Sequence, residues 1–388
     1  MMNTKNVLFA TGSRADYGIV RHYLSLLNND PAICLSIIVT GALLSPEYGH
    51  QVELIYKDGF KVTEEVQIPI NPSSNQGVVD SMAVAMSKFG EFFENNKPDL
   101  LIILGDRYEM LSVATAAAMN RIPILHLHGG EATFGNYDEF IRHSITKMSL
   151  FHFTATEEFR NRVIQLGESP DRVYNLGALG AENCLTIVEE EVPDEIKELR
   201  GKRYFTILFH PETLTNIRVE DQMEELLAAV DQFSQFRFIF LGSNADTNSN
   251  IIRNKVREYV AQNDNCEYFE NLPTAGYHYL LKYSLGLIGN SSSGLIEAPS
   301  LGVFTINIGD RQEGRVRGNS VIDVRCVKHE LTEAIKRVCE IRSNIKIINP
   351  YYKKDTAKNY YNKTKEIIHK IEEGINEHPK KFYDLPHV

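Results

Sequence analysis

Residues 286–297 read Gly286-Leu287-Ile288-Gly289-Asn290-Ser291-Ser292-Ser293-Gly294-Leu295-Ile296-Glu297, an apolar strand running into small hydroxyl and glycine residues and then into a helical stretch. Such a loop is built to hold an anion. Glycine lets backbone amides approach an oxyanion, hydroxyls add donors, and a helix N-terminus turns its positive end toward the same point. Gly289 and Gly294 have P-loop spacing, but Leu295 stands where that motif requires Lys, which argues against nucleoside triphosphate hydrolysis with magnesium. A nucleoside diphosphate held without a catalytic metal fits better. The competing reading is a Ser/Gly turn that only caps a helix.

The same pattern recurs outward from this loop. Short apolar runs at 7–11, 35–40, 100–104, 122–127, 204–209, 236–241, 285–288 and 303–308 alternate with longer amphipathic stretches, as in βα units on parallel sheets. At 388 residues the chain exceeds the size at which one core keeps growing, so two domains are expected. The run Glu189-Glu190-Glu191-Val192-Pro193-Asp194 interrupts the alternation near mid-chain and marks the boundary region. The expected architecture is α/β, with two Rossmann-like doubly wound domains facing a cleft. The first spans 1–180 and the second 181–355, and a last helix within 356–388 packs back on the first domain.

The formal net charge of −10 argues against a nucleic-acid or anionic-membrane surface while leaving room for a local basic pocket. Cys34, Cys184, Cys266, Cys326 and Cys339 are scattered and odd in number, the usage of reduced cytosolic thiols rather than of zinc or a redox pair. The first residues lead directly into the strand at 7–11, and no apolar run approaches a membrane span. A soluble, cytoplasmic protein is expected.

In an open parallel sheet, ligands collect beyond the carboxyl ends of the strands. Those positions are polar here: Gly12-Ser13-Arg14-Ala15-Asp16, Gly105-Asp106-Arg107, His128-Gly129-Gly130-Glu131, His210-Pro211-Glu212, Gly242-Ser243-Asn244 and Gly309-Asp310-Arg311-Gln312. Singly, each has an ordinary explanation: Asp106 as a helix cap, Arg14 and Arg311 as surface ion pairs, His210 as a satisfied core histidine. Together they describe a site with an acidic half from the first domain and a phosphate-holding half from the second. The acidic half holds Asp106, Glu131, Asp138 and Glu139, with Arg142 and His143 a turn further on. Crowded carboxylates raise one another's pKa, which suits acid and base work. The alternatives are Asp138 as an N-cap and Glu139 as the ion-pair partner of Arg142 or His143.

There is no Asp-Xaa-Asp triplet, the ligand pair of metal-dependent glycosyltransferases, and no Gly-Xaa-Gly-Xaa-Xaa-Gly after a strand, which weakens a nicotinamide reading. His126 and His128 share a face if both lie on a strand, yet no third zinc ligand accompanies them. No metal and no cofactor are expected.

These motifs, with Arg142-His143-Ser144-Ile145-Thr146-Lys147-Met148-Ser149, resemble the hydrolysing UDP-N-acetylglucosamine 2-epimerases of bacterial sialic acid synthesis, from about Val7 to Phe382-Tyr383-Asp384. The resemblance implies a glycosyltransferase-B-type fold, a homodimer, and the products N-acetylmannosamine and UDP. It further implies anti elimination of UDP, then hydration with inversion at carbon 2. By resemblance, Arg14, Ser291 and Ser292 hold the diphosphate, Glu297 takes the ribose hydroxyls, and Arg311 supports that end of the nucleotide. His210 sits at the diphosphate and sugar, with Asn244 lining the same pocket. Asp106, Glu131 and Asp138 are the acid and base candidates, balanced by Arg107 and Arg142. Many members carry Glu two residues before the Gly-Glu step, where this chain has His128, so the carbon 2 base is left open among His128, Glu131 and Asp106. The alternatives in function are a 2-epimerase for the UDP-2,4-diacetamido sugar of legionaminic acid synthesis, a non-hydrolysing epimerase, and a glycosyltransferase or UDP-sugar sensor on the same fold.

Overall fold

The computed structural model of the chain describes residues 4–46, 49–70, 74–134, 137–211, 217–242, 249–342, 345–377 and 379–385. The chain divides into two compact units, Met1–Glu131 with Tyr137–Leu179 and Lys353–Val388, and Ala132–Asn136 with Gly180–Tyr352.

The first unit is built on a seven-stranded sheet: β1 (Lys5–Thr11), β2 (Ile33–Thr40), β3 (Val62–Val66), β4 (Leu100–Leu104), β5 (Ile124–Leu127), β6 (Phe151–Thr154) and β7 (Val173–Asn175). The spatial order is 3-2-1-4-5-6-7 and every pairing is parallel. Both faces are covered, so the central strands are apolar without interruption, and Leu-Leu-Ile-Ile-Leu of β4 is buried throughout. Alternate residues serve alternate cores. Val7 and Phe9 of β1 join Leu24, Leu27, Tyr360 and Ile367 on one side, whereas Leu8 and Ala10 join Phe89, Phe93 and Val113 on the other. The helix Thr356–Glu372 belongs to this unit, where Tyr360 meets Tyr23 edge-on at 5.5 Å and Thr364 shares a 2.7 Å hydrogen bond with the Tyr23 hydroxyl.

The second unit repeats the arrangement with β8 (Tyr204–Leu208), β9 (Arg237–Leu241), β10 (Cys266–Phe269), β11 (Leu287–Gly289), β12 (Thr305–Ile308) and β13 (Val321–Val324), in the order 10-9-8-11-12-13 and again parallel. Helices Val219–Val230 and Lys328–Ile341 cover one face around Phe205, Phe238 and Ile306. Helix Thr274–Tyr283 covers the other beside Tyr204 and Ile239.

Each of the eight apolar runs read from the sequence overlaps a strand. β3, β6, β7, β10 and β13 were not among them, because they are short or partly exposed and carry polar residues, as in Val-Thr-Glu-Glu-Val of β3 and Phe-His-Phe-Thr of β6. Among the described residues no helix is long and apolar enough to cross a membrane.

Candidate active site

In the first unit the strand order reverses between β1 and β4, where a doubly wound sheet leaves a crevice at its carboxyl end. Beyond β1, the Ser13 hydroxyl caps the helix Arg14–Asn28 by accepting the Asp16 N–H at 3.2 Å. Arg14 opens that helix and has no hydrogen-bond or ion-pair partner among the described residues. Burial, partly offset by the charge of Arg107, pushes the Asp16 carboxyl up to about 6, so it exchanges a proton close to neutral pH. Beyond β4, Gly105 takes φ +79° and Asp106 and Arg107 precede the helix Tyr108–Met119. Glu109 in its first turn is wholly buried and accepts from Arg107 Nε at 2.5 Å, while its Oε2 has no hydrogen-bond partner among the described residues. Gly12 crowds this carboxylate, since a Cβ there would stand 2.5 Å from Oε1.

Asp106 does not cap the helix that follows it. Its Oδ2 accepts from Arg142 Nε at 2.9 Å and also from Nη2, and Arg142 Nη1 donates to the Glu131 carbonyl at 2.7 Å and to Glu139 Oε2 at 2.8 Å. Arg142 is 1% exposed and thereby ties the loops after β4 and β5 to the helix Asp138–Met148. Glu139 also meets His143 Nε2 at 3.1 Å, so it contacts both residues at helical spacing, as an ion pair with Arg142 and a hydrogen bond with His143. Asp138 is the first helical residue and Tyr137 occupies the cap, so the N-cap reading of Asp138 does not hold.

The loop after β5 is sharply bent, with His128 at φ +64° and Gly130 at φ +78°. The strand ends at Leu127, so His126 and His128 do not share a strand face as the alternation suggested. His126 is an internal brace: Nε2–H donates to the Gly105 carbonyl at 2.8 Å, and Nδ1 accepts from the Thr146 hydroxyl at 3.1 Å. Burial holds this imidazole down at about 3, hence neutral. His128 is placed differently. Its Nδ1 lies 3.3 Å from Glu131 Oε1, and its buried Nε2 has no hydrogen-bond partner among the described residues.

In the second unit the order reverses between β8 and β11. Gly289 closes β11 at φ +147°, and a Cβ there would stand 1.9 Å from the Leu208 carbonyl oxygen, so only glycine permits this pairing. Asn290, fully buried, clasps the next loop: Oδ1 accepts the His210 N–H at 2.7 Å and Nδ2 donates to the His210 carbonyl at 2.9 Å. The Asn290 carbonyl in turn accepts from Arg311 Nη1 at 3.1 Å and Gln312 Nε2 at 2.9 Å, so one residue joins the loops after β8, β11 and β12. Burial, and then the Arg311 charge, hold His210 down at about 3, so it serves as a neutral donor or acceptor. Ser291 Oγ lies 3.0 Å from Ser293 Oγ, and Ser292 occupies the cap of the helix Ser293–Ile296. That helix is a single turn, shorter than the loop's sequence suggests, so it supplies little macrodipole and the loop offers hydroxyls and backbone amides instead. Glu297 follows it, with Oε2 3.6 Å from His278 Nε2. Asn244 lies outside the described residues.

The sequence motifs contain Asn290 and Gln312 but assign neither a role, and they do not include Glu109. Their signal was position, each lying within a few residues of a strand end, but buried polar residues there look like ordinary loop residues until their partners are known.

Two Rossmann-order units with polar residues gathered at both switch points define an α/β protein of the glycosyltransferase-B type. Residues 25–365 match the UDP-N-acetylglucosamine 2-epimerase family, and the chain belongs to it. It is 48% identical over 392 residues, covering 98% of each chain, to the polysialic acid biosynthesis protein P7 of Escherichia coli. It is 37% identical over 326 residues, covering 83% of this chain and 85% of the other, to the GDP/UDP-N,N'-diacetylbacillosamine 2-epimerase (hydrolyzing) of Campylobacter jejuni. Among solved structures, the MnaA–UDP complex of S. aureus superposes with a TM-score of 0.79 at 15% identity, over 98% of this chain and 100% of that one.

Proposed function

We propose that the chain is a hydrolysing UDP-N-acetylglucosamine 2-epimerase, converting UDP-N-acetylglucosamine and water to N-acetylmannosamine and UDP at the start of sialic acid synthesis. The observation that carries the proposal is the His128–Glu131 pair, an imidazole with one nitrogen beside a carboxylate and the other unspent, at a strand end of an epimerase-family chain. His128 accepts the carbon 2 proton at Nε2 as the bond from the anomeric carbon to UDP breaks, while the Glu131 carboxyl beside Nδ1 faces the positive charge that forms on the ring. Asp106 has spent one oxygen on Arg142, which favours His128 over Asp106 as the base. Water then adds to the unsaturated sugar: hydroxyl goes to the anomeric carbon and a proton to carbon 2 on the opposite face, with Asp138 a candidate for that acid and base work.

UDP falls to the second unit's residues. Ser291 and Ser292 take the diphosphate, with Arg14 and Arg107 contributing positive charge from their own unit, and Glu297 takes the ribose. Arg311 supports the same end of the nucleotide. Neutral His210 donates a hydrogen bond to the departing diphosphate, a role its burial favours over that of a fixed charge. Turnover is expected without added metal and in the presence of EDTA.

The Campylobacter relative supports a second reading, in which the sugar carries two acetamido groups. The name of the E. coli relative, more similar over a longer span, favours the first. The deciding experiment is a proton NMR time course in deuterated water without metal, run on UDP-N-acetylglucosamine and on the UDP-diacetamido sugar. Free N-acetylmannosamine deuterated at carbon 2, together with UDP, is expected. UDP-N-acetylmannosamine instead would assign a non-hydrolysing epimerase, turnover of the diacetamido sugar alone would assign the second reading, and no turnover of either would leave a binding role.

A further inference from the structure

Tyr277 lies on the helix Thr274–Tyr283, its hydroxyl 2.5 Å from Ser293 Oγ, and Ser293 Oγ is 3.0 Å from Ser291 Oγ. Proton accounting gives this chain a direction. Ser293 is the only hydrogen-bond partner of the half-buried Tyr277 hydroxyl among the described residues, so the direction that satisfies the phenol hydrogen within the protein has Tyr277 donating to Ser293. Burial, with Glu297 nearby, holds the phenol far above its usual range and keeps that hydrogen in place. The Ser293 hydrogen then goes to Ser291 Oγ, which also accepts the Ser293 N–H at 3.4 Å. With two donors already directed at it, Ser291 Oγ has its own hydrogen left over, and that hydrogen has no acceptor among the described residues. Ser291 is half-buried, so this donor is accessible.

We propose that Tyr277 is a positioning residue of the nucleotide site: it polarises a one-way hydroxyl relay, Tyr277 to Ser293 to Ser291, that presents Ser291 as a donor to a diphosphate oxygen of UDP. This rests on the reading of the serine loop as the diphosphate site. Each hydrogen bond in such a chain strengthens the next. Without the phenol, Ser293 is free to reverse, Ser291 can turn its hydrogen inward, and the outward donor is no longer fixed. The relay acts on an oxyanion and not on the nucleoside, so it separates UDP from uridine.

The test is calorimetric binding of UDP, and of uridine by competition, to the full chain and to Tyr277→Phe, Ser293→Ala, Ser291→Ala and the Tyr277→Phe/Ser291→Ala double variant. Tyr277→Phe removes one oxygen at constant shape and is expected to weaken UDP roughly tenfold, the scale of one hydrogen bond to a charged group. Ser293→Ala breaks the relay in its middle and should match it. Uridine affinity should be unchanged in both, and the double variant should be no weaker than Ser291→Ala alone. Unchanged UDP affinity in Tyr277→Phe would overturn the relay and leave the site standing. Equal loss of uridine affinity, or full additivity in the double variant, would reduce Tyr277 to a packing role and overturn it too. Failure of the unaltered protein to bind UDP would overturn the functional reading and the relay with it.

Discussion

His128 holds a left-handed backbone conformation that L-residues seldom adopt, although histidine tolerates it better than most. The bend places Nδ1 against Glu131 and leaves Nε2 unspent, the arrangement expected of a general base. His128→Gln is therefore expected to lower kcat by about 10²–10⁴ while UDP affinity stays within about threefold, checked by steady-state kinetics beside calorimetry. Unchanged kcat would move the base to another residue. Asp106→Asn should abolish turnover with little change in UDP affinity, because it removes the charge that orients Arg142 without altering shape. Arg142 is almost wholly buried, and losing its partner's charge is expected to cost up to about 3–5 kcal/mol of stability, so denaturant unfolding must accompany the assay. Full activity in that variant would remove Asp106 from the mechanism.

At the scale of elements, two glycines with opposite surroundings make the point. Gly289 ends β11 where a Cβ would collide with the Leu208 carbonyl, so Gly289→Ala must either open the pairing of β8 with β11 or push Asn290 off His210. We expect a loss of roughly 3 kcal/mol or more together with loss of UDP binding, measured by urea unfolding and calorimetry. Gly90 lies inside the helix Asn75–Asn95 with nothing within 4 Å of its Cβ position. Gly90→Ala should stabilise by about 0.5–1 kcal/mol through helix propensity alone. If the two substitutions had the same sign, close approach would not be what requires Gly289.

For the whole molecule the telling quantity is proton uptake. His126 and His210 are held at about 3 by burial, against 6.5 for an ordinary histidine, and His152 is also lowered. Between those values the unfolded chain binds a proton at His126 and at His210 and the folded chain does not, so stability rises with pH there. It is complete above pH 6.5 and lost as pH falls toward 3, at about 1.4 kcal/mol per unit for each histidine. Glu168 behaves otherwise. Burial alone would raise it, yet His152, Lys380 and Lys147 bring it to about 2, so its contribution is lost only as pH falls from 4.5 through 2. Unfolding free energies measured from pH 7 to 5 should therefore fall steadily, by roughly 2 kcal/mol at pH 5 for each of His126 and His210. A flat profile would show that these imidazoles are not held neutral.

The sequence by itself determined the α/β class, the repetition of strand and helix in two halves, and the family, because long apolar runs and glycine-rich strand ends are local signals that survive without coordinates. It also picked out the polar residues at strand ends such as those after β5 and β11. Tertiary structure decided which of those side chains have partners. That Asp106 spends an oxygen on Arg142 from 36 positions away, that Asn290 clasps His210 across 80, and that Glu109 lies under Gly12 are all consequences of long-range packing. A hydrogen bond between distant residues leaves no periodicity in the chain, so proton acceptors, braces and caps that look alike as letters are separated only by what folding brings beside them.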